Sequence, residues 1–248
     1  MLEINNVSKS FNGVQVLKGI SGKFKPGKIN LIIGASGTGK TVLLKCVVGL
    51  EKPDEGSILY DGRDFTGGSR ELIKEIRREI GMLFQGSALF DSKNVEQNVM
   101  FPLDTLTNTP KEEKLERVNF CLTRVGLENV NKLMPAELSG GMKKRVGIAR
   151  AIAMNSKYLF CDEPNSGLDP QTALKIDNLI KEITEEFNIT TIVVTHDMNS
   201  VLEIGEYVMF MYEGEKLWEG HSKDIMKVDV KELKEFLFAN KLVRELKT

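Results

Sequence analysis

Gly34-Ala35-Ser36-Gly37-Thr38-Gly39-Lys40-Thr41 is the stretch that decides the fold. The apolar run Ile29 to Ile33 precedes it and Val42-Leu43-Leu44-Lys45 follows, so it reads as strand, glycine loop, helix. Backbone N–H groups in such a loop wrap phosphates, helped by the N-terminus of the next helix. Gly37 and Gly39 let the backbone approach closely, Lys40 offers a cation to the outer phosphates, and Thr41 offers a hydroxyl to Mg²⁺. Alone, this loop indicates a nucleotide binder and no more.

The 248 residues suit one large α/β domain or a domain with a subdomain. Hydrophobic residues make up 41% and charged residues 28%, an ordinary globular mixture, and the net charge of -1 argues against broad electrostatic binding to nucleic acid or anionic membrane. No apolar run approaches the ~20 residues that span a bilayer, and the chain starts with an alternating strand pattern rather than a signal peptide. Any membrane role is therefore expected to come through a partner. Cys46, Cys121 and Cys161 form no C-x-x-C pair and sit among apolar neighbours, as buried free thiols do.

Residues 2–8 and 14–24 read as antiparallel strands joined at Asn12-Gly13. A short strand at Ser57 to Tyr60, a polar helix over 69–78 and a strand Ile80 to Phe84 follow, and helical patterns dominate 93–155. Tyr158 to Cys161 is continuously apolar, as buried strands are, and Ile189 to Thr195 reads as another buried strand. Asp169-Pro170 starts a helix, and residues 206–219 form a hairpin around Glu213-Gly214. Such alternation implies a mostly parallel sheet that binds ligands beyond the carboxyl ends of its strands. Gly34, Gln85, Asp162 and His196 each lie just past a separate strand, the pattern of one shared site.

Asp162 and Glu163 end a buried apolar strand, where unpaired charge is costly. Asp162 fits a carboxylate that holds Mg²⁺, and Glu163 is placed to act as general base on an attacking water. Leu138-Ser139-Gly140-Gly141-Met142 starts another helix, with Ser139 as N-cap and two glycines exposing the first N–H groups. Lys143-Lys144-Arg145 after it reads as a solvated basic face.

These motifs, with the loop Asn165-Ser166-Gly167-Leu168-Asp169, follow one another in an order and spacing that resembles the ABC ATPase (nucleotide-binding domain) family across about residues 2–240. The resemblance implies an α/β P-loop NTPase: a mostly parallel core sheet, an N-terminal antiparallel β subdomain and an inserted helical subdomain. It implies ATP hydrolysis with Mg²⁺ by a homodimer holding two composite ATP sites. The phosphates would lie on Gly34, Ala35, Ser36, Gly37, Thr38, Gly39, Lys40 and Thr41 of one chain and face Ser139, Gly140 and Gly141 of the other. By the same resemblance Thr41, Gln85 and Asp162 serve the metal, and Glu163, Gln85 and His196 serve catalysis. Asp169 crosses the dimer interface, and Phe11 stacks on adenine with Val16 beside it.

Met142 stands where the family commonly has Gln, and the stretch Gly86-Ser87-Ala88-Leu89-Phe90-Asp91-Ser92 is similar to the phospholipid-transport branch, the Mla-type ATPases that work with MCE (mammalian cell entry) proteins. That branch implies an integral-membrane permease and an MCE-type lipid-binding partner, with the ATPase held on the inner face of the cell membrane through the permease. A small-solute importer and a soluble ATPase of iron–sulfur assembly are the alternatives. The expected division is 1–92 with 156–227 as ATP-binding core, 93–155 as helical insertion and 228–248 as helical tail. In that tail Leu233, Phe236, Leu237, Leu242 and Leu246 recur at helical spacing.

Overall fold

The computed structural model describes residues 1–239. In chain order its first elements are β1 (Leu2–Phe11), β2 (Val14–Phe24), β3 (Ile29–Ile33), α1 (Lys40–Val47), β4 (Glu55–Tyr60), β5 (Arg63–Asp64), α2 (Arg70–Arg78) and β6 (Ile80–Leu83). Then come α3 (Val95–Leu106), α4 (Lys111–Arg124), α5 (Gly140–Ile152), β7 (Tyr158–Asp162), α6 (Pro170–Glu186), β8 (Thr190–Thr195), α7 (Met198–Glu203), β9 (Tyr207–Tyr212), β10 (Glu215–His221) and α8 (Lys231–Ala239). Two compact units result, Met1–Ile76 with Thr190–Thr248, and Arg77–Ile189. This division groups β6 and β7 with the helices, where the sequence suggested cuts near 93 and 155.

The first unit holds two sheets. One is antiparallel, in the order β2-β1-β4-β5. Its β1–β2 turn has φ of 50° at Asn12 and 81° at Gly13, the two left-handed residues that let a two-residue turn follow the strands' twist. Leu2, Ile4, Val7, Leu17, Ile20 and Phe24 are buried on it. The second runs β10-β9-β3-β8, with β3 parallel to both neighbours and β10 antiparallel at the edge. Every residue of β3 and β8 is buried, which is why neither shows the alternation of a half-exposed strand. Asn30 interrupts β3, and its amide donates to the Lys28 and Thr191 carbonyls at 3.1 and 3.0 Å. Leu233 and Leu237 of α8 are buried, and the Phe236 ring meets Phe210 at 5.6 Å, so the start of the tail packs on its own unit. Leu242 and Leu246 lie outside the described residues.

In the second unit β6 and β7 pair in parallel, α5 packs on β6, and α3, α4 and α6 pack on α5. A Cβ at Gly81 would stand 2.1 Å from the Ala151 carbonyl, so only glycine lets α5 lie this close to β6. The three cysteines are buried thiols, as expected; burial pushes Cys46 and Cys121 up to about 11 and raises Cys161 as well. Among the described residues no helix is long and apolar enough to cross a membrane.

Candidate active site

In the first unit the phosphate-loop stretch joins β3 to α1 as the sequence predicts. Gly34, Gly37 and Gly39 all have positive φ, 152°, 82° and 96°. Gly39 has a second constraint: an added Cβ would lie 2.9 Å from the Val16 carbonyl. Val16 is thereby placed against the end of the loop. Lys40 is buried, and its ammonium donates to the Gly34 and Ala35 carbonyls at 2.8 Å each. Thr38 turns its hydroxyl inward to Ala35 at 2.9 Å. Ser36, Gly37 and Thr41 are exposed, and α1 has no acidic residue in its first turn to compete with an anion. Ile33 pairs with Thr195, so Gly34 and His196 leave neighbouring parallel strands at the same level, with His196 exposed. Phe11 sits at the β1–β2 turn, 39% exposed, with the Lys9 ammonium 5.3 Å from its ring centre.

In the second unit Leu83 pairs with Cys161, which sends Gln85 and Glu163 out of adjacent strands together. The Gln85 amide donates to the Glu163 carboxylate at 3.4 Å. Asp162 is buried at 7% exposure, and Glu163 is half-buried with a left-handed φ of 46°. Non-glycine residues adopt that conformation only where surroundings enforce it, as active sites do.

Ser139 caps α5, its hydroxyl accepting from the Met142 N–H at 3.2 Å. Ser139 and Gly140 are exposed, and the first turn of α5 carries no acid. Asp169 caps α6 through the Thr172 N–H at 3.0 Å, and the Thr172 side-chain hydrogen bond first, with this N–H second, holds its carboxyl below the ordinary value. The starts of α5 and α6 are close: a Cβ at Gly141 would lie 2.7 Å from the Thr172 methyl, and one at Gly140 would lie 3.4 Å from Leu168.

One expectation fails. The basic run after the signature is not a solvated face throughout, because Lys144 is only 4% exposed. Its ammonium donates to the Gln85 carbonyl in a short bond and to the Glu163 carbonyl at 3.3 Å. Burial draws it below its ordinary lysine value, against the opposing field of Asp162 and Glu163. The signal was present in the sequence: Lys144 leads the stripe Gly147, Ile148, Ala151 at helical spacing. Arg150 and Asn98 were also missed. Arg150 donates to the Ser87 and Ala88 carbonyls at 2.6 and 2.7 Å, and fully buried Asn98 exchanges bonds with the Phe90 N–H and carbonyl at 2.8 and 3.2 Å.

Residues 17–166 match the family described as ABC transporter. A Bacillus cereus protein named methionine import ATP-binding protein MetN 2 is 42% identical over 229 residues, 91% of this chain and 67% of that protein. The Clostridium acetobutylicum protein named methionine import ATP-binding protein MetN is 44% identical over 86% of this chain and 67% of its own length. Among solved structures, the dimeric post-hydrolysis state of the ATP-binding cassette MJ0796 bound to ADP and Pi superposes with a TM-score of 0.81 at 34% identity, covering 90% of this chain and 99% of that one. The structure of cbiO1 from Clostridium perfringens, part of an ABC transporter complex, gives 0.84 at 32% identity over 100% and 98% of the two chains. With its phosphate loop, its paired carboxylates and its glycine-opened signature helix, this chain belongs to the ABC transporter family as an ATP-binding, ATP-hydrolysing domain.

Proposed function

We propose that this chain is the ATPase subunit of an ABC importer, that it works as a homodimer with two composite ATP sites, and that an integral-membrane permease carries the cargo. The observation that carries the catalytic part is the Gln85–Glu163 contact at 3.4 Å, beside buried Asp162. A water held by the amide would give its proton to the Glu163 carboxylate and attack the terminal phosphorus, while the bond from that phosphorus to the bridging oxygen breaks and ADP leaves; a positioned base typically contributes 10²–10⁴-fold to such a step. Lys40, the loop N–H groups and His196 hold the outer phosphates in this scheme. Ser139, Gly140 and Gly141 approach them from the second chain, for which the exposed, acid-free start of α5 is suited.

The donors present fit Mg²⁺. Thr41, Gln85 and Asp162 offer hard oxygens, and Mg²⁺ is usually held by one or two such protein groups together with phosphates and water. Its contribution, when bound, is to neutralise charge developing on the phosphate oxygens. Among the described residues no cluster of three or more His, Cys, Asp or Glu gathers, and this mode of binding calls for none.

Support for the permease comes from family membership and from an open groove of ≈ 370 Å³ lined by Met82, Phe84, Phe90, Phe101, Leu106 and Met154. Its apolar walls suit the end of a permease helix, and the segment that supplies Phe90 begins at Gln85, so occupation of the groove would be felt at the base.

The relatives' names support a small solute as cargo. Phospholipid is a second reading, with an MCE-type partner, and it rests on sequence resemblance: Met142 with Lys143 to Val146, residues 34–45, and residues 86–92 leading to 98–103. The ATPase does not touch the cargo in either case, so the co-purified permease separates them. The catalytic reading is tested with Glu163→Gln. ATP binding and nucleotide-dependent dimerisation should persist while turnover falls by about 10²–10⁴-fold. Unchanged turnover would sink the assignment of Glu163.

A further inference from the structure

Gln85 and Glu163, read above as the pair that handles the attacking water, lie beside and on irregular backbone respectively. Glu163 is left-handed at φ 46°, and two residues past Gln85 come Ser87 and Ala88 with φ of 63° and 45°. Three non-glycine residues in this region of the map each cost on the order of 1–2 kcal/mol, so surrounding bonds must enforce them. One side-chain contact at 3.4 Å fixes neither main chain. Besides local backbone bonds, side chains of one helix, α5, bond these main chains. Arg150 holds the Ser87 and Ala88 carbonyls, and Lys144 holds those of Gln85 and Glu163.

Lys144 is the more informative of the two. It is the one side chain among the described contacts that bonds both Gln85 and Glu163 through their main chains. An ammonium has three donors in a compact head, and its bonds to carbonyls are charge-assisted, roughly twice as strong as neutral ones. Burying such a charge is costly unless it is fully hydrogen-bonded, so its presence here is not accounted for by packing. An apolar residue would serve the stripe of Gly147, Ile148 and Ala151 better.

We propose that Lys144 is a positioning residue for ATP hydrolysis: its ammonium ties the carbonyls of Gln85 and Glu163 to the signature helix and thereby sets the separation and aim of the two side chains. This rests on the reading of Gln85 and Glu163 as the pair that handles the attacking water. A consequence is that the helix presenting Ser139, Gly140 and Gly141 to the second chain also carries the brace for the first chain's own base. Any shift of α5 on docking moves both carbonyls with it.

The test uses Lys144→Met, Lys144→Gln and Lys144→Arg in the full chain. Two readouts are taken: steady-state kcat and KM for ATP, and amide hydrogen exchange without nucleotide. Lys144→Met should lower kcat by about 10–100-fold, the size of effect that misplacement by about 1 Å produces, with KM for ATP within about twofold. Without nucleotide, peptides covering 84–88 and 163–167 should exchange faster, since the Ser87 and Ser166 N–H groups bond the Phe84 and Glu163 carbonyls at 2.8 and 3.1 Å. Leu43, bonded to Gly39 at 2.9 Å, should keep its rate. Arg restores donors to both carbonyls and should recover most of the loss, and Gln, with one amide, should fall between. If Met leaves exchange of both segments unchanged, or if Arg is no better than Met, the proposal is overturned. Should the Met variant not fold, Gln against Arg gives the same comparison. Turnover surviving Glu163→Gln would instead remove the catalytic reading and leave the exchange result standing.

Discussion

Gly141→Ala separates the packing role of the signature glycine from its role at the phosphate. Gly141 lies in the first turn of α5, where an added Cβ would meet the Thr172 methyl at 2.7 Å. Carbon atoms prefer about 3.5–4.0 Å, so the overlap is close to 1 Å and costs about 1–3 kcal/mol in a packed setting. Replacing helical Gly by Ala returns about 0.5–1 kcal/mol, which leaves a net loss of about 0–2.5 kcal/mol. For a chain of this size each kcal/mol moves the melting temperature by about 2–4 °C. Thr172→Ser removes the opposing methyl and keeps the backbone N–H that Asp169 accepts at 3.0 Å. In that background Gly141→Ala should change sign and stabilise by about 0.5–1 kcal/mol. ATP turnover should not follow stability. The added methyl also stands in the first turn of α5, which the proposed function brings against the second chain's phosphates, and turnover should remain at least about tenfold down in both backgrounds. Thermal melts and ATPase rates of the four proteins in the cycle make the measurement. A coupling below about 0.5 kcal/mol would show that the Thr172 contact is not the constraint, and activity returning together with stability would refute the role given to the exposed helix start.

Asn98→Ala should destabilise the second unit by about 2–3 kcal/mol, because it strips partners from the Phe90 N–H and from the Phe90 and Lys93 carbonyls. Calorimetry should show the loss, and a melting temperature within about 2 °C of the parent would count against it. Acid should loosen the N-terminal sheet through Asp54, whose carboxyl is held below its ordinary value by the Lys9 ammonium at 2.9 Å and then by the Ser10 N–H at 2.7 Å. Its folded value lies below the unfolded one of about 3.9, so its contribution is complete above that pH and disappears as pH falls through the lowered value. Urea melts of the parent and Asp54→Asn should therefore differ at neutral pH and converge in acid. A constant difference down to about pH 2 would remove Asp54 as the cause.

The sequence by itself determined whatever is local along the chain. Phosphate loop, paired carboxylates and signature are each contiguous, and each is announced by the strand or helix beside it: buried runs such as Ile29 to Ile33 and Tyr158 to Cys161, and caps such as Ser139 and Asp169. The two hairpin turns were legible for the same reason, since Asn12-Gly13 and Glu213-Gly214 supply the positive φ values that turns demand. Tertiary structure alone decided what depends on a distant neighbour. Gly39 is confined by Val16, Gly141 by Thr172 and Gly81 by Ala151, none of them within its own motif. Lys144 shows the limit most clearly. In a charged triplet a lysine belongs in water, because an unpaired buried ammonium is too costly. Only the fold brings two backbone carbonyls, from loops 59 and 19 residues away, to the place where that ammonium can be buried and still be bonded.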